Sequence, residues 1–270
     1  MNDLDNLAKL LQALKPWRGH LVVVGGWAHR LYRFAPHVNN PGYQPVNTRE
    51  TDLAFNSNEP IEGDIKEALV KAGFSEQLTG EHQPPVAQYT LGDDDAGFYA
   101  EFLTPLRGSG LKRNGKPDMT VSVAGITAQK LRHLEILLVD PSIINVSKDN
   151  GVPLPGSMDV RVANPVSYIV QKLLIQEYRK RKKCAQDLLY IHDTLQLFGD
   201  QYTELNRIWK ESIQPQLSEK SRAEVIKVAE ETFLTVSDTI REAVLIPQDR
   251  KLLPEHLQKA CQLALKEVLT

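Results

Sequence analysis

Two carboxylates, Glu50 and Asp52, stand two residues apart in the stretch Thr48-Arg49-Glu50-Thr51-Asp52-Leu53-Ala54-Phe55. The β-branched and apolar neighbours favour a strand, and side chains at i and i+2 of a strand leave the same face. The spacing therefore holds two acids side by side. Like charges so placed repel one another, and a hard divalent cation relieves the repulsion; Mg²⁺ prefers oxygen ligands of this kind. Upstream, Gly25-Gly26 follows the apolar run Leu21-Val22-Val23-Val24 and precedes a helical segment. Glycine at a strand-to-helix turn lets the backbone approach a phosphate closely, with the free N–H groups of the helix start directed at it. Acids for a cation and glycines for a phosphate together point to chemistry on a nucleoside triphosphate.

A third acid is placed to join them. Glu101 lies mid-strand in Phe98-Tyr99-Ala100-Glu101-Phe102-Leu103, where a lone carboxylate is costly unless it is paired or metal-bound. Glu101 is therefore the candidate to complete a two-cation cage with Glu50 and Asp52. Metals bridging a triphosphate orient it, neutralise its charge and activate an attacking hydroxyl. The run Asp93-Asp94-Asp95 reads differently, as a solvated hairpin turn without the alternating acids and distal glutamate of a calcium loop. The segment from Arg107 to Lys116 is a basic, glycine-containing loop, either simply solvated or a surface for triphosphate or an RNA backbone. His29, on the helix after the glycine pair, reads as a packing or capping residue rather than a catalytic one.

The C-terminal half adds Lys172 and then Arg179-Lys180-Arg181-Lys182-Lys183, followed by Asp187. Lys183 and Asp187 are at i,i+4 and share a helix face, on a helix whose remaining pattern, Leu188, Ile191 and Leu195, is core. Asp187 either orders a lysine toward bound phosphate or forms a local ion pair.

The elements that must position these groups follow from periodicity. Leu4, Leu7, Leu10, Leu11 and Leu14 recur at helical spacing. Strands are expected at Leu21–Val24 and Arg49–Phe55, with helices over Trp27–Phe34 and Ile61–Ala72 and a loop from Pro36 to Pro45. An antiparallel pair is expected from Val86–Leu91 and Gly97–Leu103. Met119–Val123, Glu135–Val139 and Met158–Val162 read as further strands, with a short helix near Gln129. After Asn164-Pro165 almost every segment has helical period. The pattern predicts an α/β plus α chain: a mixed α/β domain over residues 1–163 and a helical domain over residues 164–270.

Composition sets outer bounds. An apolar fraction of 41% and a charged fraction of 24% over 270 residues are those of an ordinary globular protein with room for two domains. A net charge of −2 argues against a broadly basic, nucleic-acid-coating surface. Cys184 and Cys261 stand far apart without a C-x-x-C pattern, which fits a reducing compartment and gives no zinc site. The acidic, amphipathic start resembles no targeting peptide, and no apolar run approaches a membrane span. A cytoplasmic protein without membrane association is expected.

The sequence resembles the DNA-polymerase-β-like nucleotidyltransferase superfamily, and within it bacterial abortive-infection and toxin–antitoxin nucleotidyltransferases and their uncharacterised relatives. The superfamily pattern is a strand, a glycine pair, a helix, then acid-apolar-acid on the next strand; here it is Val24-Gly25-Gly26 and Glu50-Thr51-Asp52. Thr48-Arg49 before the acids, Gly25-Gly26-Trp27-Ala28-His29-Arg30-Leu31 and Glu101-Phe102-Leu103-Thr104-Pro105 carry the likeness further. Lys172, Lys183 and Asp187 occupy places comparable to the later motifs. The chain departs from the pattern in having Glu50 where an aspartate is usual, the polar Thr51 between the acids, and a long interval between Gly26 and Glu50. The resemblance implies a small, twisted mixed sheet of nucleotidyltransferase type with a helical C-terminal domain closing over it. It implies transfer of a nucleoside monophosphate from an NTP to a hydroxyl acceptor, with two Mg²⁺ ions held by Glu50, Asp52 and Glu101. Gly25, Gly26, Arg49 and Lys172 would contact the nucleotide, and Lys183 and Asp187 would order phosphates. The acceptor implied is tRNA or another RNA, a protein side chain, or a small molecule such as an antibiotic, and the toxin branch implies an antitoxin partner. A non-catalytic binding protein on the same fold is the alternative.

Overall fold

The computed structural model describes residues 3–80, 84–92 and 97–270; the Asp93-Asp94-Asp95 turn lies outside them. The chain divides into two compact units, Met1–Phe34 with Asn47–Ala163, and Ala35–Val46 with Asn164–Thr270.

The first unit carries every described strand. It opens with helix α1 (Asp3–Ala13), whose leucine stripe is buried at Leu7, Leu10 and Leu11. Strand β1 (Val22–Val24) is buried throughout, as its unbroken valines require. Helix α2 (Gly25–Leu31) follows without a linker. Strand β2 (Glu50–Ala54), helix α3 (Ile65–Lys71), β3 (Ser75–Thr79), β4 (Val86–Leu91) and β5 (Phe98–Pro105) come next. Then β6 (Thr120–Val123), β7 (Ile126–Leu131), β8 (Ser142–Val146) and β9 (Met158–Val162) complete the sheet. Asp64 caps α3 by accepting from the Glu67 amide at 2.8 Å, so that helix starts at Ile65 rather than Ile61.

Among the described residues the sheet is open, mixed and nine-stranded, in the order β3-β4-β5-β2-β1-β9-β8, with β7 joining β5 and β6 joining β7. Strand β5 forks. Its first half pairs antiparallel with β4, and its last three residues pair parallel with β7. Strand β2 lies between β1, antiparallel, and β5, parallel.

Two expectations in this region fail. The segment around Gln129 is strand β7, not a short helix. The reason is the turn before it: Ala124 and Gly125 both have positive φ, 48° and 79°, a two-residue hairpin turn of the kind that matches strand twist. That turn pairs Val123 with Ile126 and commits residues 126–131 to alternation. The Glu135–Val139 stretch is a 3₁₀ turn over Glu135–Leu138 rather than a strand, its apolar side chains Ile136 and Leu137 buried from a single turn. Strands β3 and β8 were not expected. Strand β3 is a polar edge strand paired only with β4, and it carries no apolar alternation to betray it.

The second unit is helical: α4 (Pro165–Leu174), α5 (Arg181–Leu197), α6 (Tyr202–Ile208), α7 (Glu219–Thr232), α8 (Asp238–Ala243) and α9 (Pro254–Leu269). Asn164 caps α4 by accepting from the Ser167 amide, and Pro165 takes the first helical position, the arrangement that suits a residue without an N–H. The segment 35–46 belongs to this unit through specific anchors. Asn39 donates its amide to the Leu197 carbonyl at 2.8 Å, and Gln201 donates to the His37 carbonyl at 2.6 Å. The Gln44 amide donates to Asp249 at 2.6 Å, and the Arg250 guanidinium stacks 3.3 Å from the centre of the Tyr43 ring. Arg250 is itself held by Asp193, at 2.7 Å to each carboxylate oxygen. No described helix is long and apolar enough to cross a membrane.

Candidate active site

Register builds the site. In the β2–β5 pair Glu50 stands opposite Tyr99 and Asp52 opposite Glu101, while Thr51 faces Ala100 and Leu53 faces Phe102. The pleat sends these two sets to opposite faces. Leu53, Ala100 and Phe102 are buried core; Glu50, Asp52, Tyr99 and Glu101 occupy the other face and are partly buried. A slip of one residue would exchange the sets and drive Glu101 into the core, so burial of Leu53 and Phe102 fixes where the acids point. One carboxylate oxygen each from Glu50, Asp52 and Glu101 lies within 4.8 Å of the others.

Strand β1 delivers the glycines to the same place. Val24, its last residue, pairs with Asp52, and the next residue is Gly25, with φ 63°. A side chain is doubly excluded there. The left-handed backbone disfavours one, and a Cβ would collide with Oδ2 of Asp52 and lie 3.1 Å from its Cγ. Behind the glycines α2 is locked by burial. Trp27 meets Phe98 edge to face at 5.9 Å between ring centres, and Arg30 lies over the Trp27 ring while bonding Asp3 at 3.0 Å. His29 is fully buried and packs edge-on against Tyr32, whose hydroxyl donates to the Ala163 carbonyl at 2.7 Å. It serves packing, as expected.

Two neutral side chains that sequence reasoning did not single out share the face. Gln88 of β4 stands opposite Glu101 and donates through Nε2 to Glu101 Oε1 at 2.5 Å. Tyr99 stands opposite Glu50 on the same face. Burial first, then the charges of Glu50, Glu101 and Asp52, push its phenol well above the usual tyrosine range. The phenol therefore stays protonated. The signal that finds both residues is cross-strand register, which no single segment contains.

The remaining expected residues fall elsewhere. Arg49 is exposed, and its carbonyl accepts from the Tyr99 amide at 3.1 Å. The basic loop leaves β5 after Pro105, at the end of that strand farther from Tyr99. The loop is ordered by its own backbone, with Lys112 donating its amide to the Lys116 carbonyl at 2.8 Å. In the helical unit, Asp187 is 4% exposed and pairs with Lys172, also 4% exposed, at 2.5 Å, and with Arg179 at 3.2 Å. Lys183, expected to share a face with Asp187, has an exposed side chain. The Lys172 ammonium lies 4.6 Å and 4.8 Å from the ring centres of Tyr168 and Tyr190, a cation–π box around a buried ion pair.

The geometry defines a class: three carboxylates from two adjacent strands on one sheet face, beside a glycine where a side chain would be strained. The chain belongs to the nucleotidyltransferase family, whose model matches residues 2–214. The matched range takes in Gly25, the three acids, Lys172, Lys183 and Asp187. No curated protein matches the chain.

Proposed function

We propose that this protein is a metal-dependent nucleotidyltransferase that moves a nucleoside monophosphate from an NTP to a hydroxyl acceptor. The observation that carries the reading is the clustering of Glu50, Asp52 and Glu101 against Gly25 in a member of the nucleotidyltransferase family. The donor set suits Mg²⁺. All three ligands are hard carboxylate oxygens, and the space a Cβ would fill at Gly25 is left to the Asp52 carboxylate. Two Mg²⁺ ions bound there would neutralise the triphosphate and orient it toward the acceptor.

The chain's own residues do the rest. Gly25 and Gly26 bring backbone against the triphosphate, and Arg49 contributes an exposed guanidinium at the start of β2. Glu50 and Asp52 fix the nucleotide end of the site. Glu101 completes the set and lowers the barrier to deprotonating the acceptor hydroxyl. The acceptor oxygen then bonds to the α-phosphorus as the bond to the bridging oxygen breaks, and pyrophosphate leaves. Lys172, Lys183 and Asp187 are the phosphate-ordering groups proposed on the helical unit. The Asp187 carboxylate fixes the buried Lys172 ammonium, and Lys183 presents an exposed one. The fold proposed is the nucleotidyltransferase sheet with a helical C-terminal domain, the boundary falling between residues 163 and 164 and the segment 35–46 going with the helical domain.

The acceptor proposed is RNA, tRNA included, in keeping with the toxin-like sequence resemblance, with an antitoxin as partner. The experiment is to incubate the protein with each labelled NTP, Mg²⁺ and total cell RNA, with Asp52→Ala as control. Label in RNA that depends on Asp52 supports the reading. Label in protein or in small molecules moves the acceptor, and NTP binding without any transfer overturns the enzyme.

A further inference from the structure

Glu50 and Glu101 both reach the site on side chains one methylene longer than aspartate, and each extra torsion lets a carboxylate wander from the geometry a small cation demands. Mg²⁺ tolerates little such wandering, since it requires near-ideal octahedral contacts at short range, whereas Ca²⁺ accepts flexible, longer ones. The structure places a residue with a neutral donor directly opposite each of these two glutamates across the sheet. Gln88 on β4 pairs with Glu101 and donates to its Oε1 at 2.5 Å. Tyr99 on β5 stands directly opposite Glu50, which puts its phenol on the same sheet face as that carboxylate.

We propose that Gln88 and Tyr99 are positioning residues, each occupying one oxygen of its glutamate so that the other is preset for a divalent cation, and that the pair tunes the site to Mg²⁺ over Ca²⁺. The proposal rests on the metal-site reading above. Both donors are neutral, and that is what the task needs. A lysine or arginine in either place would hold the carboxylate equally well while cancelling the charge that attracts the cation. A neutral amide or hydroxyl fixes orientation and leaves the net charge of the cluster intact. The arrangement also answers the departure at Glu50. Where the family pattern has an aspartate, this chain has a longer acid, and Tyr99 stands opposite to restrain it.

The test uses the full-length protein without nucleotide. Mg²⁺ and Ca²⁺ affinities are measured by calorimetry for wild type, Gln88→Met, Tyr99→Phe and Asp52→Ala, beside the thermal midpoint of each metal-free protein. Methionine keeps the bulk of Gln88 and removes the donor; phenylalanine removes only the hydroxyl of Tyr99. Expected are losses of about 10-fold or more in Mg²⁺ affinity for each variant, as for other groups that orient metal ligands. The expected loss for Ca²⁺ is about 2-fold, so the Mg²⁺/Ca²⁺ ratio falls. Gln88→Asn, which retains an amide one methylene short, should recover part of the ratio relative to Gln88→Met. Unchanged Mg²⁺ affinity in both variants, or equal losses for the two ions, overturns the proposal while leaving the metal site standing. A wild-type protein that binds no divalent cation, indistinguishable from Asp52→Ala, overturns the underlying reading instead.

Discussion

Two groups of charged side chains in this molecule are built on opposite principles. On the sheet, three carboxylates of like sign lie within 4.8 Å of one another, partly open to solvent. In the helical unit, Lys172 and Asp187 are opposite charges at 2.5 Å, each 4% exposed, wrapped by Tyr168 and Tyr190. Like charges at such separation raise the free energy of the folded state, and the sheet holds them there through the burial of their neighbours. The helical pair is compensated in place, and its cost appears only when one member is removed. The first arrangement concentrates charge of one sign; the second carries its own counter-charge.

Breaking each group should therefore give opposite results. The largest effect is expected at the sheet. Asp52→Ala should lower nucleotidyl transfer by at least about 10³-fold, the scale of losing a main charge-stabilising group at a transition state. The thermal midpoint of the metal-free protein should hold or rise, because one repelling charge is gone. Calorimetry and a transfer assay on the same preparation check both halves, and a folded, fully active variant would end the reading. Next in size is Asp187→Ala, which takes the carboxylate from the buried Lys172 ammonium. It should cost about 3–5 kcal/mol in chemical denaturation, and the double variant Lys172→Met with Asp187→Leu should recover most of the loss. If Asp187→Ala unfolds no more readily than wild type, the contrast between the two groups is lost.

A smaller effect sharpens what the helical unit does. Lys183→Ala should weaken NTP binding by about 10-fold if its exposed ammonium meets phosphate, while Lys180→Ala should change NTP affinity little and act on RNA in a salt-sensitive way. Equal, small losses for both, measured at two salt concentrations, would make the basic run a solvated helix face. The smallest effect tests the back of the sheet. Thr51 lies between the two acids in sequence but points to the opposite face, where its side chain is fully buried and its hydroxyl has no hydrogen-bond partner among the described residues. Thr51→Val keeps the shape and removes the stranded polar group, so it should stabilise the protein by about 1 kcal/mol with transfer unchanged.

The site was more legible in the sequence than the sheet that holds it. Continuous valines before Gly25-Gly26 and the i, i+2 acids on β2 each carry their own period, so their faces could be read locally. Glu101 was readable because a lone acid among Phe98, Ala100 and Phe102 is out of place. Gln88 and Tyr99 were not, since only the pairing of β4, β5 and β2 puts them against the acids. Strand β7 hid behind an Ala-Gly turn where Asn-Gly would have announced a hairpin, and β3 hid because its residues are polar. The anchoring of residues 35–46 in the helical unit was illegible for a different reason: the Gln44–Asp249 bond joins positions 205 residues apart.

That anchoring bears on the order in which the chain can mature. The segment interrupts the covalent path between β1 and β2, the strands that present Gly25 and the paired acids. Its docking groups, Leu197, Gln201, Asp249 and Arg250, are synthesised long after both strands. The hairpin-like pairing of β1 with β2 thus closes a loop whose resting place does not yet exist when those strands leave the ribosome. A fragment ending at Ala163 would retain all nine described strands and still leave Asn39, Tyr43 and Gln44 without the groups they dock on. Limited proteolysis of such a fragment should cut first between residues 35 and 46, a segment that the full-length chain anchors at Leu197, Gln201, Asp249 and Arg250.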